Sequence, residues 1–250
     1  MAALLATLTG TLFGPAGAVL DPSGNLDTGF GGEGHSVTNF SQVDTFAEAR
    51  GVALQTGVHE GKIVLAGGYQ DGFDSHLALL RLNPDGTQDM SFGSGGEVKT
   101  VVGGNDLAYD VAIQPDNKIV VVGDSDRDFL VARYSPDGVL DDTFGGGDGI
   151  VTAGVMVGGF DRAHAVALQP DGRIVVVGYS DVAAGDIRDV SLMRFNPDGA
   201  LDPTFGGGDG KATVNLHDTG AERLNDLAIQ PDGKIVAAGE ARLATGTCNT

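Results

Sequence analysis

A chain of 250 residues with 41% hydrophobic content can fill one or two cores, so its composition does not describe a disordered polymer. Its formal charge of −19 argues against nucleic acid as a partner, because that affinity comes from Lys and Arg displacing counterions from phosphates. Forty-one glycines, no Trp and only 6% aromatics suit many short strands joined by tight turns, which points to an all-β fold.

From the N-terminus, Ala2 to Phe13 form an apolar stretch too short to span a bilayer. Ala16-Gly17-Ala18 fits the small-x-small pattern of a signal-peptidase site, so residues 1–18 are read as a signal peptide and the chain as exported. No Lys or Arg precedes Arg50, so the usual basic n-region is missing; the competing reading is a disordered or strand-forming leader.

Residues 19–250 form a repeat array, with units near 47–100, 107–155, 162–216 and 223–250. Gln55, Gln114, Gln169 and Gln230 succeed one another at intervals of 59, 55 and 61 residues, and Phe30, Phe92, Phe144 and Phe205 at 62, 52 and 61. A strand over Gly34 to Phe40 precedes the first full unit, whose first turn is a longer loop, Thr56 to Gly61. The second unit turns at Pro115-Asp116-Asn117, where Asn stands in for the glycine that a positive φ favours.

The third unit shows the pattern most fully. Ala165 to Gln169 is a strand, Pro170-Asp171-Gly172 specifies a reversal, and Arg173 to Gly178 is a second, unbroken apolar strand of the kind buried on both faces. A third strand, Val190 to Phe195, ends at Asn196-Pro197-Asp198-Gly199; a Leu-Asp-x-x-Phe-Gly segment and glycines then lead to a fourth. Four strands per unit make an antiparallel propeller blade. Small Ala53, Ala112, Ala167 and Ala228 mark the first strands as innermost, and the recurring Phe residues are expected to wedge between blades. Fourteen of the 34 acidic residues sit in these turns, where Asp serves local backbone bonding.

The fourth unit stops after its second strand. In a closed ring the strand Gly34 to Phe40 would have to complete this blade beside a third strand that the pattern does not supply, so the chain is read as an excerpt of a longer array. The alternatives are an open array or one closed by oligomerisation, that is, self-association through the incomplete blade.

Gln-Pro-Asp-Gly-Arg-Ile-Val-Val-Val-Gly at 169–178 and Asn-Pro-Asp-Gly-Ala-Leu-Asp-Pro-Thr-Phe-Gly at 196–206 resemble the delta-60 repeat family of bacterial propellers, over nearly everything from Leu20 to Glu240. The resemblance implies a propeller that is exported or surface-associated, and it brings no catalytic residues with it.

Several motifs imitate functional ones. Gly29-x-Gly31-x-x-Gly34 has dinucleotide-fingerprint spacing but leads into a strand where that motif needs a helix. Gly206 to Lys211 suggests a phosphate loop, yet Ala212 replaces the required Ser or Thr. Gly145 to Gly149 suggests calcium-binding turns, with Asp148 and Asp209 as the candidate ligands, but recurs once per blade rather than every nine residues. Arg81, Arg133 and Arg194 could ring an anionic ligand or pair with turn aspartates, and pairing is the preferred reading. His35, His59, His76, His164 and His217 share no repeat position and are read as isolated surface residues; Cys248 has no partner for an intrachain disulfide.

No catalytic, cofactor-binding or metal residue is assigned. Function is sought where the repeat is broken: Thr56 to Gly61, the inserts Gln70 to Ser75 and Asp181 to Asp189, and the axis-facing Tyr109, Asp110, His164, Asn225 and Asp226. The expectation is a non-catalytic, exported module at the bacterial cell surface that binds a protein or polysaccharide. The rival is a polysaccharide-acting enzyme, which would need a carboxylate pair about 5–10 Å apart across a sugar site.

Overall fold

The computed structural model describes residues 16–18, 20–37, 47–155, 159–183, 187–216 and 220–242, and nearly all of the regular structure in them is β-strand. The chain divides into two compact units, residues 1–121 with 133–141, and 122–132 with 142–250.

The first full repeat folds as β3 (Ala47–Leu54), β4 (Ile63–Asp71), β5 (Asp74–Leu82) and β6 (Glu97–Thr100), antiparallel and in chain order. The second gives β7 (Asp106–Ile113), β8 (Ile119–Ser125), β9 (Asp128–Tyr134) and β10 (Ile150–Ala153). The third gives β11 (Asp161–Leu168), β12 (Ile174–Ala183), β13 (Ile187–Phe195) and β14 (Lys211–Val214), and β15 (Ala221–Ile229) with β16 (Ile235–Arg242) comes last. The second strand of each full repeat is the expected apolar run: Val64, Val120 to Val122 and Val175 to Val177 are completely buried. The turns also obey the sequence: Asn117 takes φ +65°, and Asp171 Oδ1 accepts the N–H of Arg173 at 3.1 Å.

The recurring Phe is the clasp between consecutive repeats. Gly138, at φ +87°, ends the turn of the second repeat, and a Cβ there would stand 2.9 Å from the ring of Phe92. Phe30 meets Gly86 and Phe144 meets Gly199 in the same way. In each clasp the residue after the Phe donates its N–H to the turn Asp carbonyl: Gly31 to Asp85 at 2.7 Å, Gly93 to Asp137 at 2.9 Å and Gly145 to Asp198 at 3.0 Å. Each buried ring contributes about 2–3 kcal/mol by transfer from water.

The N-terminal segment corrects one expectation. Ala16–Ala18 is a strand, β1, paired antiparallel with β2 (His35–Val37) in the register Ala16↔Val37 to Ala18↔His35. The turn after β1 matches the turns after β5, β9 and β13. Gly24 donates to Asp21 across it as Gly86 does to Asn83, both at 2.9 Å, and Leu20 bridges Leu26 as Leu82 bridges Gln88. The chain therefore carries a third-strand equivalent before β2, and β1–β2 is the later half of a blade as β15–β16 is the earlier half. The turn is legible in the sequence from Asp21 and Asp27, although Ser23 stands where the other turns have Asp; the strand before it is not. Residues 38–40 of the expected strand, residues 1–15 of the leader, and Cys248 lie outside the described residues.

Candidate functional site

The arginines that could have ringed an anion are spent inside the fold. Arg81 is 1% exposed; its Nε donates to Asp89 at 2.8 Å, its Nη1 to the Pro136 carbonyl at 2.7 Å and to Gln55 Oε1 at 3.2 Å, and its guanidinium lies 4.7 Å from the Phe92 ring. Gln55, whose recurrence marks the period, itself donates to the Pro136 carbonyl at 3.1 Å. Arg133 and Arg194 hold Asp141 and Asp202 in the same way, both at 2.7 Å. Each aspartate takes a second cation from the start of the second strand: Lys62 to Asp89 at 2.8 Å, Lys118 to Asp141 at 3.0 Å and Arg173 to Asp202 at 2.9 Å. Burial alone would raise the Asp89 carboxyl, but bonds from Lys62 and Ser91 and the charge of Arg81 outweigh it and hold the group far below the usual carboxylate range. Backbone and hydroxyl bonds from Thr204, with Arg194, lower Asp202 to about 2. The pairing reading of the arginines is correct.

The imitative motifs are turns. Gly31 (φ +61°) and Gly34 (φ +81°) lead directly into β2, and Gly210 leads into β14. Asp148 Oδ1 accepts the N–H of Ile150 and Asp209 Oδ1 that of Lys211, each at 3.0 Å. Among the described residues, no three or more His, Cys, Asp or Glu side chains gather as a metal-holding group.

Of the breaks in the repeat, Thr56 to Gly61 forms a single 3-10 turn over Gly57–His59 with Val58 93% exposed. The segment Gln70 to Ser75 is mostly strand, a hairpin extension of β4 and β5 whose tip places Phe73 wholly in solvent. Between Asp181 and Asp189, β12 and β13 likewise extend, with residues 184–186 outside the described residues.

The histidines need a correction. His76 is 7% exposed and its Nδ1 lies 3.5 Å from Asp106 Oδ2, so it is not a surface residue; the parallel bridge Ser75↔Asn105 sets the two side by side. His164 packs on Tyr179 with centroids 5.6 Å apart, and His35 lies 3.7 Å from Glu33. His59 is in the 3-10 turn, and His217 is outside the described residues.

A feature with no sequence signal of its own joins several candidates. The first strands of three repeats break register at one equivalent step, between Ala49 and Gly51, Ala163 and Ala165, and Leu224 and Asp226, so that Arg50, His164 and Asn225 are bulge residues. Tyr109 is their counterpart by spacing, five residues before its Gln, and the Arg50 guanidinium lies 4.7 Å from its ring. A bulge re-aims its side chain. The facing second-strand residue must then lack a side chain: a Cβ at Gly178 would stand 1.8 Å from the Arg162 carbonyl oxygen, and one at Gly67 1.9 Å from that of Glu48. Asp110 and Asp226 instead bond the next backbone N–H in their strands, both at 2.8 Å.

The model of a family described as a domain of unknown function (DUF5122) beta-propeller matches residues 61–92, 114–144, 169–205 and 230–249. These are β-propeller repeats. Each of the first three matched segments of the propeller runs from about its first turn to its recurring Phe, and so takes in the turns and the Arg–Asp pair that build the clasp. No curated protein matches the chain. No helix among the described residues is long and apolar enough to cross a membrane.

Proposed function

We propose that this propeller, of the delta-60 type, is an exported binding or scaffolding module at the bacterial cell surface, and that it presents its ligand-reading side chains from the first-strand bulges. The observation that carries the reading is chemical variation on a fixed frame. At one bulge step the repeats hold Arg50, His164 and Asn225, while three residues further along each strand stands Ala53, Ala167 and Ala228. Where a scaffold repeats and one presented position varies, that position is free to serve a partner. The export element rests on the apolar stretch Ala2 to Phe13.

The scaffolding element rests on two clasp halves, the Asp21–Gly24 turn and Phe205, that no described residue completes. The Asp21–Gly24 turn has open space where Gly86, Gly138 and Gly199 meet a Phe, and Phe205 is only half-buried, against Arg194 at 4.7 Å. A second copy presenting Phe205 to this turn makes a head-to-tail contact.

The test is binding of the labelled chain to intact bacterial cells and to purified wall polysaccharide. Replacing Arg50 and Tyr109 together by Ala should cost at least tenfold in affinity with the fold retained by circular dichroism. Undiminished binding by the variant sinks the bulge reading, and release of new reducing ends from the polysaccharide favours the enzyme.

A further inference from the structure

The parallel junctions that join successive repeats place two side chains next to one another, and the third junction is unlike the first. At the first, the bridge Ser75↔Asn105 sets His76 beside Asp106, a base facing an acid. At the third, the pair Arg188↔Ala221 sets Asp189 beside Glu222 at the next step, two acids facing one another. Residues aligned on neighbouring strands share a face of the sheet, and so do residues two apart on one strand. Ser180 is the antiparallel partner of Asp189, and Ser191 lies two residues beyond it. Four oxygen-bearing side chains therefore share one face where the first repeat has Tyr69, Ala78, His76 and Asp106.

All four are at least nine-tenths buried: Ser180, Ser191 and Glu222 are 0% exposed and Asp189 8%. Among the described residues, Asp189 Oδ1, Glu222 Oε1, Ser180 Oγ and Ser191 Oγ each have no hydrogen-bond partner, while Glu222 Oε2 accepts the Leu216 N–H at 2.9 Å. An unpartnered buried carboxylate oxygen is costly, and two adjacent ones more so, unless positive charge lies between them. A proton shared by the acids would relieve their repulsion but leave both serine oxygens unsatisfied. A hard cation uses all four, because ions of the calcium class take six to eight oxygens at about 2.3–2.6 Å, drawn from carboxylates, neutral oxygens and water.

We infer that Asp189, Glu222, Ser180 and Ser191 form the protein part of a binding site for a hard divalent cation of the calcium class at the junction of β13 and β15. The ion neutralises the acid pair and ties β15 to the preceding blade. Burial first, and then the charge of Glu222, push the Asp189 carboxyl up, as this crowding requires. The site is separate from the glycine-rich turns of Asp148 and Asp209, whose carboxylates bond local backbone.

The test is titration of the chelator-treated full chain with calcium chloride, read by calorimetry and by the thermal midpoint. Wild type should bind one ion and unfold at a higher temperature with calcium. Asp189→His turns the acid pair into a His–Glu pair of the same kind as His76–Asp106 and should abolish both responses while keeping a metal-free midpoint at or above that of wild type. Ser191→Ala, which installs the residue found at Ala78, should weaken calcium binding at least tenfold. The inference is overturned if wild type neither binds calcium nor is stabilised by it, or if Asp189→His and Ser191→Ala both keep the full response, which would put the ion elsewhere.

Discussion

Gly93 donates its backbone N–H to the carbonyl of Asp137 at 2.9 Å, while the ring of Phe92, one residue earlier, fills the space that a side chain at Gly138 would need. One dipeptide thus gives a directional bond and a buried ring to the next repeat. Phe92→Ala removes the ring and should destabilise the chain by about 3–5 kcal/mol. Gly138→Ala leaves the ring in place but forces a Cβ against it at positive φ, and about 2 kcal/mol or more should be lost. Denaturant midpoints at constant m-value check both.

Arg81 and Asp89 form a buried pair in which neither partner can be spared. Arg81→Ala leaves the Asp89 carboxylate with Lys62 as its one cation and takes from the Pro136 carbonyl its shorter bond, so a loss of about 3–5 kcal/mol is expected. Arg81→Lys should recover only part of it, because a point charge cannot serve Asp89, Gln55 and Pro136 at once. Chemical unfolding of the two variants separates lost charge from lost geometry.

The same aspartates set the response to acid. Asp89 and Asp202 have carboxyls held below their unfolded values, so their contribution is complete above about pH 4 and disappears as pH falls through the folded values, near 2 for Asp202 and lower for Asp89. Stability should therefore hold down to about pH 4 and collapse between about pH 4 and 2. Asp202→Asn should flatten the lower limb, as monitored by circular dichroism.

Head-to-tail pairing of copies should show as a mass that grows with concentration in light scattering, and Phe205→Ser should suppress it. Phe73→Ser, at an exposed hairpin tip outside the clasp, should leave the mass distribution unchanged.

Much of the fold was legible because its residues are local and repeated. Pro170-Asp171-Gly172 specifies its turn without help from the rest of the chain, and the apolar run of β8 announces its burial. β1 was illegible for the reverse reason: three small residues, Ala16-Gly17-Ala18, carry no strand signal, and the same pattern suits a cleavage motif. The bulges were hidden because register is a relation between strands. Arg50, His164 and Asn225 share a spacing from the recurring Gln but no chemistry, and the shift against the facing strand is what shows them to be bulges. Buried His76 was missed because its partner Asp106 is 30 residues away and joined to it by a parallel bridge.

The clasp also governs how such a chain can change length. Each Phe-Gly reaches only the turn of the next copy, so excising or duplicating one whole copy rejoins a clasp of the same kind and leaves every other one untouched. Smaller changes are confined to loops: the clasps span 56 residues from Phe30 to Gly86, 46 from Phe92 to Gly138 and 55 from Phe144 to Gly199, and all three close. Gain and loss of entire copies is then the gene's low-risk edit, and two lineages could differ in the number of blades while agreeing, copy for copy, on every contact within them.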